Sequence, residues 1–307
     1  MSTLLKKRVV DPVLTNIARG FTNPAHIATK LFPVVTVNKE GGKIPQFTKE
    51  AFKIYNTERA IRAKSNRISP ENRDEIDFVL TEHDLEYPMD YREQEEDILP
   101  LRLHATNVVT DGISLRLEKL AADIVQNLST YPTGNKVTLA AADQFTNTSS
   151  DPFVVFDTAK EAVRSKIAQR PNVCILGASA YNALKNHPGV LDRIKYTQTA
   201  VMSPSLLKNL LDFDELYVGD SVYATDAGVF TDIWGDNVII AYVPKANPDI
   251  PRSFYEPAFG YTLRKKNNPV VDSYTEGGKV EIIRNTDLFV PKVVGPDAGY
   301  LINDTNA

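Results

Sequence analysis

The spacing of apolar residues divides the chain into stretches of different character. Residues 1–38 keep no sustained period, and Pro12, Pro24 and Pro33 interrupt any long helix. "TNIARGFTNPAHIATKLFP" has room for one short helical turn. In "EIDFVLTEHDLEYPM", Ile76, Phe78 and Leu80 alternate with Asp77, Val79 and Thr81, the period of a strand. "KIPQFTKEAFKIY" reads as a second strand, and the polar "NTERAIRAKSNRISPENRD" between them has no core pattern. Residues 39–92 therefore predict an extended β-hairpin loop with an irregular tip. A lone hairpin is marginal in water, so this one rests on the body or on another subunit.

The longest helical pattern follows, from about 93 to 129. Ile98, Leu101, Val108, Val109, Leu115, Leu117, Leu120, Ile124 and Leu128 fall mostly at helical spacings. Glu93, Glu95, Glu96 and Asp97 crowd its start, where the helix dipole favours acids. Pro100 and Gly112 mark places for a break or kink. Such an element approaches roughly 50 Å, longer than a small compact domain needs, and predicts a spine. Beyond it the pattern is mixed. "DPFVVFDTAKEAVRSKIA" starts with a capping Asp151 and a first-turn Pro152. "NVCIL" is a short buried strand, and "ASAYNALKNH" and "SPSLLKNLL" are helices, the latter capped by Ser203. "ELYVG", "GVFTDIW" and "NVIIAYVP" read as strands, and the last third as a β meander turning at Gly277-Gly278.

Composition narrows the function class. The 307 residues are 42% hydrophobic and 24% charged, enough for a sizeable core. A net charge of −4 argues against a general nucleic-acid binder, which needs clustered Lys and Arg. One cysteine permits no internal disulfide and fits a reducing compartment. "MSTLLKKRVV" lacks the apolar run of a signal peptide, and no stretch approaches a spanning helix, so a soluble protein made in the cytosol is expected. Charge is segregated locally. Lys39 to Arg73 holds nine basic against four acidic residues, whereas Asp74 to Asp97 holds eleven acidic against one basic. Either these are two solvated faces, or basic and acidic surfaces meet between copies, since complementary charge fixes register. Lys49, Arg59 and Arg62 on one side and Glu82, Asp84 and Glu86 on the other are the candidate interface residues.

The stretch "GASAYNALKNHPGVLDRIKY" imitates a catalytic site, with Ser179 after a strand, His187 further on and Cys174 just before. A nucleophile elbow needs a second Gly where Tyr181 stands. His187 lies eight residues along the same short helix, roughly 12 Å away along the axis. A lone Gly after the strand, without a phosphate-binding glycine pattern, does not make a phosphate site. Cys174 sits in an apolar strand, where a buried inert thiol is the default. The four histidines, at 26, 83, 104 and 187, form no metal-ligand spacing. No catalytic, cofactor or metal residues are expected, and no enzyme activity.

"ALKNHPGVLDRIKYTQT" resembles a stretch of tailed-bacteriophage major capsid proteins. It follows "SDPFVVFDTAKEAVRSKIAQRPNVCILG" and precedes "LYVGDSVYATDAG", "TDIWGDNVIIAYVP", "AFGYTLR" and "GYLI" in the order of that family, and "LEKLAADIV" resembles its long-helix segment. The resemblance covers most of residues 85 to 303. It implies the α+β HK97-like capsid fold: N-terminal arm (1–38), extended β loop (39–92), peripheral domain with spine helix (93–135), mixed α/β axial domain (136–247) and return strands of the peripheral domain (248–307). It implies a subunit that self-assembles into hexamers and pentamers of an icosahedral shell around double-stranded phage DNA, without sequence-specific binding. It further implies a portal at one vertex and leaves room for a decoration protein, with assembly in the bacterial host cytoplasm. Only about 38 residues precede the hairpin, so a separate scaffolding protein is expected. Some shells of this fold crosslink Lys to Asn, but no spacing here selects a pair. The alternatives are an encapsulin-like nanocompartment shell, which shares the fold, and a soluble hydrolase using Ser179 or Cys174.

Overall fold

The computed structural model describes residues 11–20, 25–46, 54–67, 75–96, 100–195, 202–245, 252–253 and 256–306. The chain opens with helix α1 (Pro12–Gly20). Pro12 was expected to interrupt a helix; it starts one instead, since a first-turn proline gives up an N–H that has no helical partner. The Asp11 carboxylate accepts from the N–H groups of Val13 (2.9 Å) and Leu14 (3.1 Å) and completes the cap. A second short helix, α2 (Ala28–Leu31), precedes strands β1 (Val34–Val37), β2 (Gly41–Pro45), β3 (Glu75–Val79) and β4 (Thr81–Asp90). This region therefore holds two helices rather than one turn.

Helices α3 (Tyr91–Glu96) and α4 (Leu101–Val125) follow, with Pro100 at the start of the second. The 25 residues of α4 reach about 37 Å, short of the length an unbroken 93–129 helix would have. Gly112 does not break it. A Cβ there would lie 2.8 Å from Leu85 Cδ2, so the glycine lets β4 pack close to the helix. The remaining elements are β5 (Lys136–Thr138), α5 (Pro152–Ile167), β6 (Val173–Gly177), α6 (Ala178–Asn186), α7 (Pro188–Ile194) and α8 (Pro204–Leu210). Then come β7 (Glu215–Gly219), β8 (Val222–Ala224), β9 (Phe230–Asp232), β10 (Val238–Ala241), β11 (Gly260–Lys265), β12 (Val270–Glu276), β13 (Val280–Val293) and β14 (Gly299–Asn303).

Two five-stranded sheets carry the fold. In the first, the long β13 pairs antiparallel with β4 along one edge and with β12 and then β11 along the other, and β1 adds parallel to β11. Gly277 and Gly278, both at positive φ, make the β12–β13 turn. The second sheet has the order β5-β14-β10-β6-β7. Its one face meets α5 to α8 through Phe156, Val163, Leu184 and Leu207, and its other meets α2, the end of α4 and Trp234. Strands β2 and β3 pair only with each other and form the base of a separate excursion.

Helix α4 joins the sheets. Ala105 packs with Met89 and Ile283, Ile113 and Leu117 pack on Phe289 of the first sheet, and Ala121, Ala122 and Val125 pack into the second. The buried face also includes Thr106, Thr110 and Glu118, whereas Val108 is 40% exposed. The apolar count therefore misjudged this helix. Its contact face uses small and hydroxyl residues because strands approach its backbone closely, and both threonines return their hydroxyls to the carbonyls one turn back, at 2.8 and 2.7 Å.

Candidate functional site

The residues that imitate an active site are engaged in structure. Gly177 ends β6 where a Cβ would fall 2.0 Å from the carbonyl oxygen of Gly235, so the crossover needs glycine. The Ser179 hydroxyl donates to that same carbonyl at 3.1 Å. His187 is buried and caps α7: its Nδ1 accepts from the Gly189 N–H at 3.1 Å. Nε2 therefore carries the proton and donates to the Asn147 carbonyl at 3.1 Å. Ser179 and His187 line one cleft of about 370 Å³, with Asn182, Asn186 and Asn306, but each bonds away from the other and no carboxylate lines it. Cys174 is fully buried, and burial pushes its thiol far above the ordinary range, leaving it protonated and inert. Among the described residues no group of three metal-ligating side chains gathers, and no helix is long and apolar enough to cross a membrane.

The excursion is organised differently from the rest of the chain. Its base is the β2–β3 ladder, where Lys43 and Glu75 pair at 2.9 Å and Phe78 and Ile44 are buried. Lys265 of the first sheet also pairs with Glu40 beside it. The tip, 54–67, is irregular but hydrogen-bonded to itself. Asn66 Nδ2 donates to the carbonyls of Asn56 (2.7 Å) and Glu58 (2.9 Å), and the Arg59 guanidinium donates to the Ala63 carbonyl (2.8 Å). Arg62 takes the left-handed conformation, φ 68°, at the turn. Every residue from 54 to 67 is exposed; Ile54 (101%) and Ile61 (93%) are as open as in a free chain. Arg59 and Arg62 thus lie on a projecting basic tip, and Lys49 lies outside the described residues.

The acidic candidates lie elsewhere, on β4, the strand that pairs along ten residues with β13. Glu82, Asp84 and Glu86 alternate along it and so share one sheet face. Two of them already have partners in the chain. Asp84 accepts from the Thr286 hydroxyl at 2.7 Å. Glu86 accepts from the Tyr274 hydroxyl at 3.0 Å and lies 3.6 Å from Arg284. Arg284 is itself forked onto the buried Asp272, at 3.2 and 2.6 Å. That bidentate bond to Asp272 holds its pKa above the ordinary arginine value. Among the described residues no ion pair joins Arg59 or Arg62 to Glu82, Asp84 or Glu86.

A third site escaped the sequence reading. Glu118, on α4, is 1% exposed and accepts three hydrogen bonds from two other parts of the fold. The Ile27 N–H (2.9 Å) and the Ala28 N–H (2.7 Å) come from the start of α2, and the Trp234 indole N–H (2.7 Å) from the second sheet's side. Burial raises the carboxyl's pKa above its ordinary 4.5, against the pull of those donors and of His26. A lone Glu inside an apolar helical stretch, together with the chain's one Trp, was the available signal.

Comparison with known proteins gives these surfaces a context. The sequence profile of the family described as phage major capsid protein E matches residues 18–277. The chain is 52% identical over 306 residues to the major capsid protein of Burkholderia phage BcepMu, covering the whole of both. It superimposes with a TM-score of 0.82 on the crystal structure of a phage-related protein from Bordetella bronchiseptica, at 37% identity over 97% of this chain and 98% of that one. With the capsid of a native GTA particle the TM-score is 0.60 at 13% identity, over 92% and 91%, a likeness of fold alone.

Proposed function

The chain belongs to the phage major capsid protein E family, with the HK97-like capsid fold, and from that premise we propose that the excursion tip and the β4 acidic strip are contact surfaces between copies in an icosahedral shell of hexamers and pentamers. The role is structural: repeated self-association into the phage head. The observation that carries this reading is the tip itself. Every residue from 54 to 67 is exposed, and Ile54 and Ile61 stand almost fully open among the described residues. Isolated apolar groups held out on a hydrogen-bonded, basic loop suit burial against a second copy. Opposite charge supports the pairing: Arg59 and Arg62 find no acidic partner within the described chain, and Glu82 is exposed on β4. Under this reading 1–38 acts as arm, 39–92 as extended loop, 93–135 and 248–307 as peripheral domain and 136–247 as axial domain.

Full-length similarity to a phage protein supports a phage head over a cellular nanocompartment, which the fold alone does not separate. A scaffolding protein, a portal, a decoration protein, enclosed double-stranded DNA and assembly in the host cytoplasm rest on the family resemblance. Negative-stain microscopy of the purified protein tests the core of the proposal. Shells of uniform size are expected, and the triple charge reversal at Lys49, Arg59 and Arg62 is expected to abolish them while the subunit stays folded. Normal shells from that variant would remove the charged tip from the assembly contacts.

A further inference from the structure

Among the described residues, strands β8 and β9 pair only with each other and form a hairpin on the α4 side of the second sheet. Its turn is fixed by the Thr225 N–H donating to the Val229 carbonyl (2.9 Å) and by Gly228 at φ 74°. The register puts Val222, Ala224, Phe230 and Asp232 on one face of the hairpin, and Tyr223 and Thr231 on the other. Tyr223 packs inward, with the Lys119 ammonium of α4 5.2 Å from its ring centroid. The face carrying Phe230 is therefore turned away from the body. All four of its residues are exposed, Phe230 by 74%, and so is Val229 beside them. Single exposed apolar groups are normal on any surface, but Val222, Ala224, Val229 and Phe230 gathered on one preformed hairpin mark a contact.

Charge and position name the occupant. Residues 220–232 hold three exposed acids, Asp220, Asp226 and Asp232, and no base. Across the second sheet, on the face covered by α5 to α8, residues 185–195 hold Lys185, Arg193 and Lys195 against Asp192. There α7 lies against the start of α5, with the Arg193 guanidinium 3.5 Å from the Phe153 ring centroid. Val154 and Leu191 are exposed on these same two helices. One chain cannot join surfaces on opposite faces of its own sheet, but two copies can. Two different surfaces that fit each other make a head-to-tail contact, the kind that closes a ring. We propose that the β8–β9 hairpin seats Phe230 against α5 and α7 of a neighbouring copy, with Asp226 and Asp232 meeting Lys185 and Lys195 of that copy. This contact presupposes the shell reading above but not the excursion tip.

The test joins Phe230→Cys and Leu191→Cys in one chain and treats assembled shells with a short bismaleimide, quenched before denaturation; the native Cys174 is fully buried. A denaturing gel is expected to show a ladder of joined subunits, which neither single variant gives. Shells without a ladder would overturn the hairpin contact and leave the shell reading standing. Dimers from Phe230→Cys alone would overturn it too, since hairpin would then meet hairpin. No particles from the wild-type chain would instead remove the shell reading, and this contact with it. A charge exchange decides the matter even where the cysteine pair does not assemble. Asp226→Lys with Asp232→Lys is expected to keep wild-type unfolding but lose shells, and adding Lys185→Glu with Lys195→Glu is expected to restore them. Wild-type yield from the first pair, or no recovery with all four, would overturn the contact.

Discussion

The excursion tip and the Glu118 junction stand at opposite ends of how one chain spends its polar groups. At the tip, Asn56, Asn66 and Arg59 bond the loop to itself, and Ile54 and Ile61 stay exposed. At the junction one carboxylate is buried and gathers donors from α2 and from Trp234. The first arrangement fixes a shape without stabilising the body. The second holds three segments together but offers nothing to a partner. Assembly and folding should therefore be separable by substitution.

The largest effect on stability is expected at the junction. Glu118→Ala leaves three buried N–H donors unpaired, and a loss of about 3–5 kcal/mol is expected in denaturant unfolding. Glu118→Gln keeps an acceptor but turns an NH₂ toward one of the donors, so a smaller loss of about 1–3 kcal/mol follows. Equal, negligible losses for both would show that the three bonds do not bind the segments. On the first sheet, Asp272→Ala frees Arg284 from its fork. Because Arg284 is partly exposed and solvent screens it, a loss of about 1–2 kcal/mol is expected by the same measurement.

A pH series sharpens the contrast further. The folded pKa of Glu118 is raised, so the stability linked to it is full below its ordinary 4.5 and is lost as pH rises through the folded value. Asp287, also raised by burial, is common to wild type and variant and cancels in the difference. The stability of wild type minus Glu118→Gln should therefore grow as pH falls from neutrality towards 4.5. A difference that shrinks on acidification would reverse the assigned direction. The smallest stability effect belongs to the tip. Ile54→Ser and Ile61→Ser together should change unfolding by no more than about 0.5 kcal/mol, yet lower the yield of shells in sedimentation. Unchanged assembly would remove these two residues from the contact.

Local signals in the sequence carried much of the fold. Asp151-Pro152 begins α5, with Asp151 accepting from the Phe153 N–H at 3.0 Å, and Ser203-Pro204 begins α8 in the same way. "VCILG" is buried at every position because helices cover one face of its sheet and α2, α4 and Trp234 the other. What local pattern could not give was partnership. Nothing in "TEHDLEYPMD" says that it pairs with residues 280–289, nearly two hundred positions away. Asp84 and Glu86 consequently read as free charges, although Thr286 and Arg284 already hold them. Pro12 read as a breaker because its effect depends on whether a cap such as Asp11 precedes it. The role of Glu118 was out of reach for a related reason: its three donors come from residues 27, 28 and 234, which only the folded chain brings to it. The exposure of the basic tip was easier to read, since a polar run without core pattern stays exposed in any fold.

Helix α4 also has a mechanical meaning. It is a single stiff rod clamped to one sheet as far as Leu117 and to the other over its last turns. Over roughly 37 Å of length, a tilt of about two degrees moves one end by about 1 Å, a shift large enough to reset close-packed contacts. Such a rod works as a lever arm: a small angular adjustment at the first sheet arrives at the second sheet as a displacement.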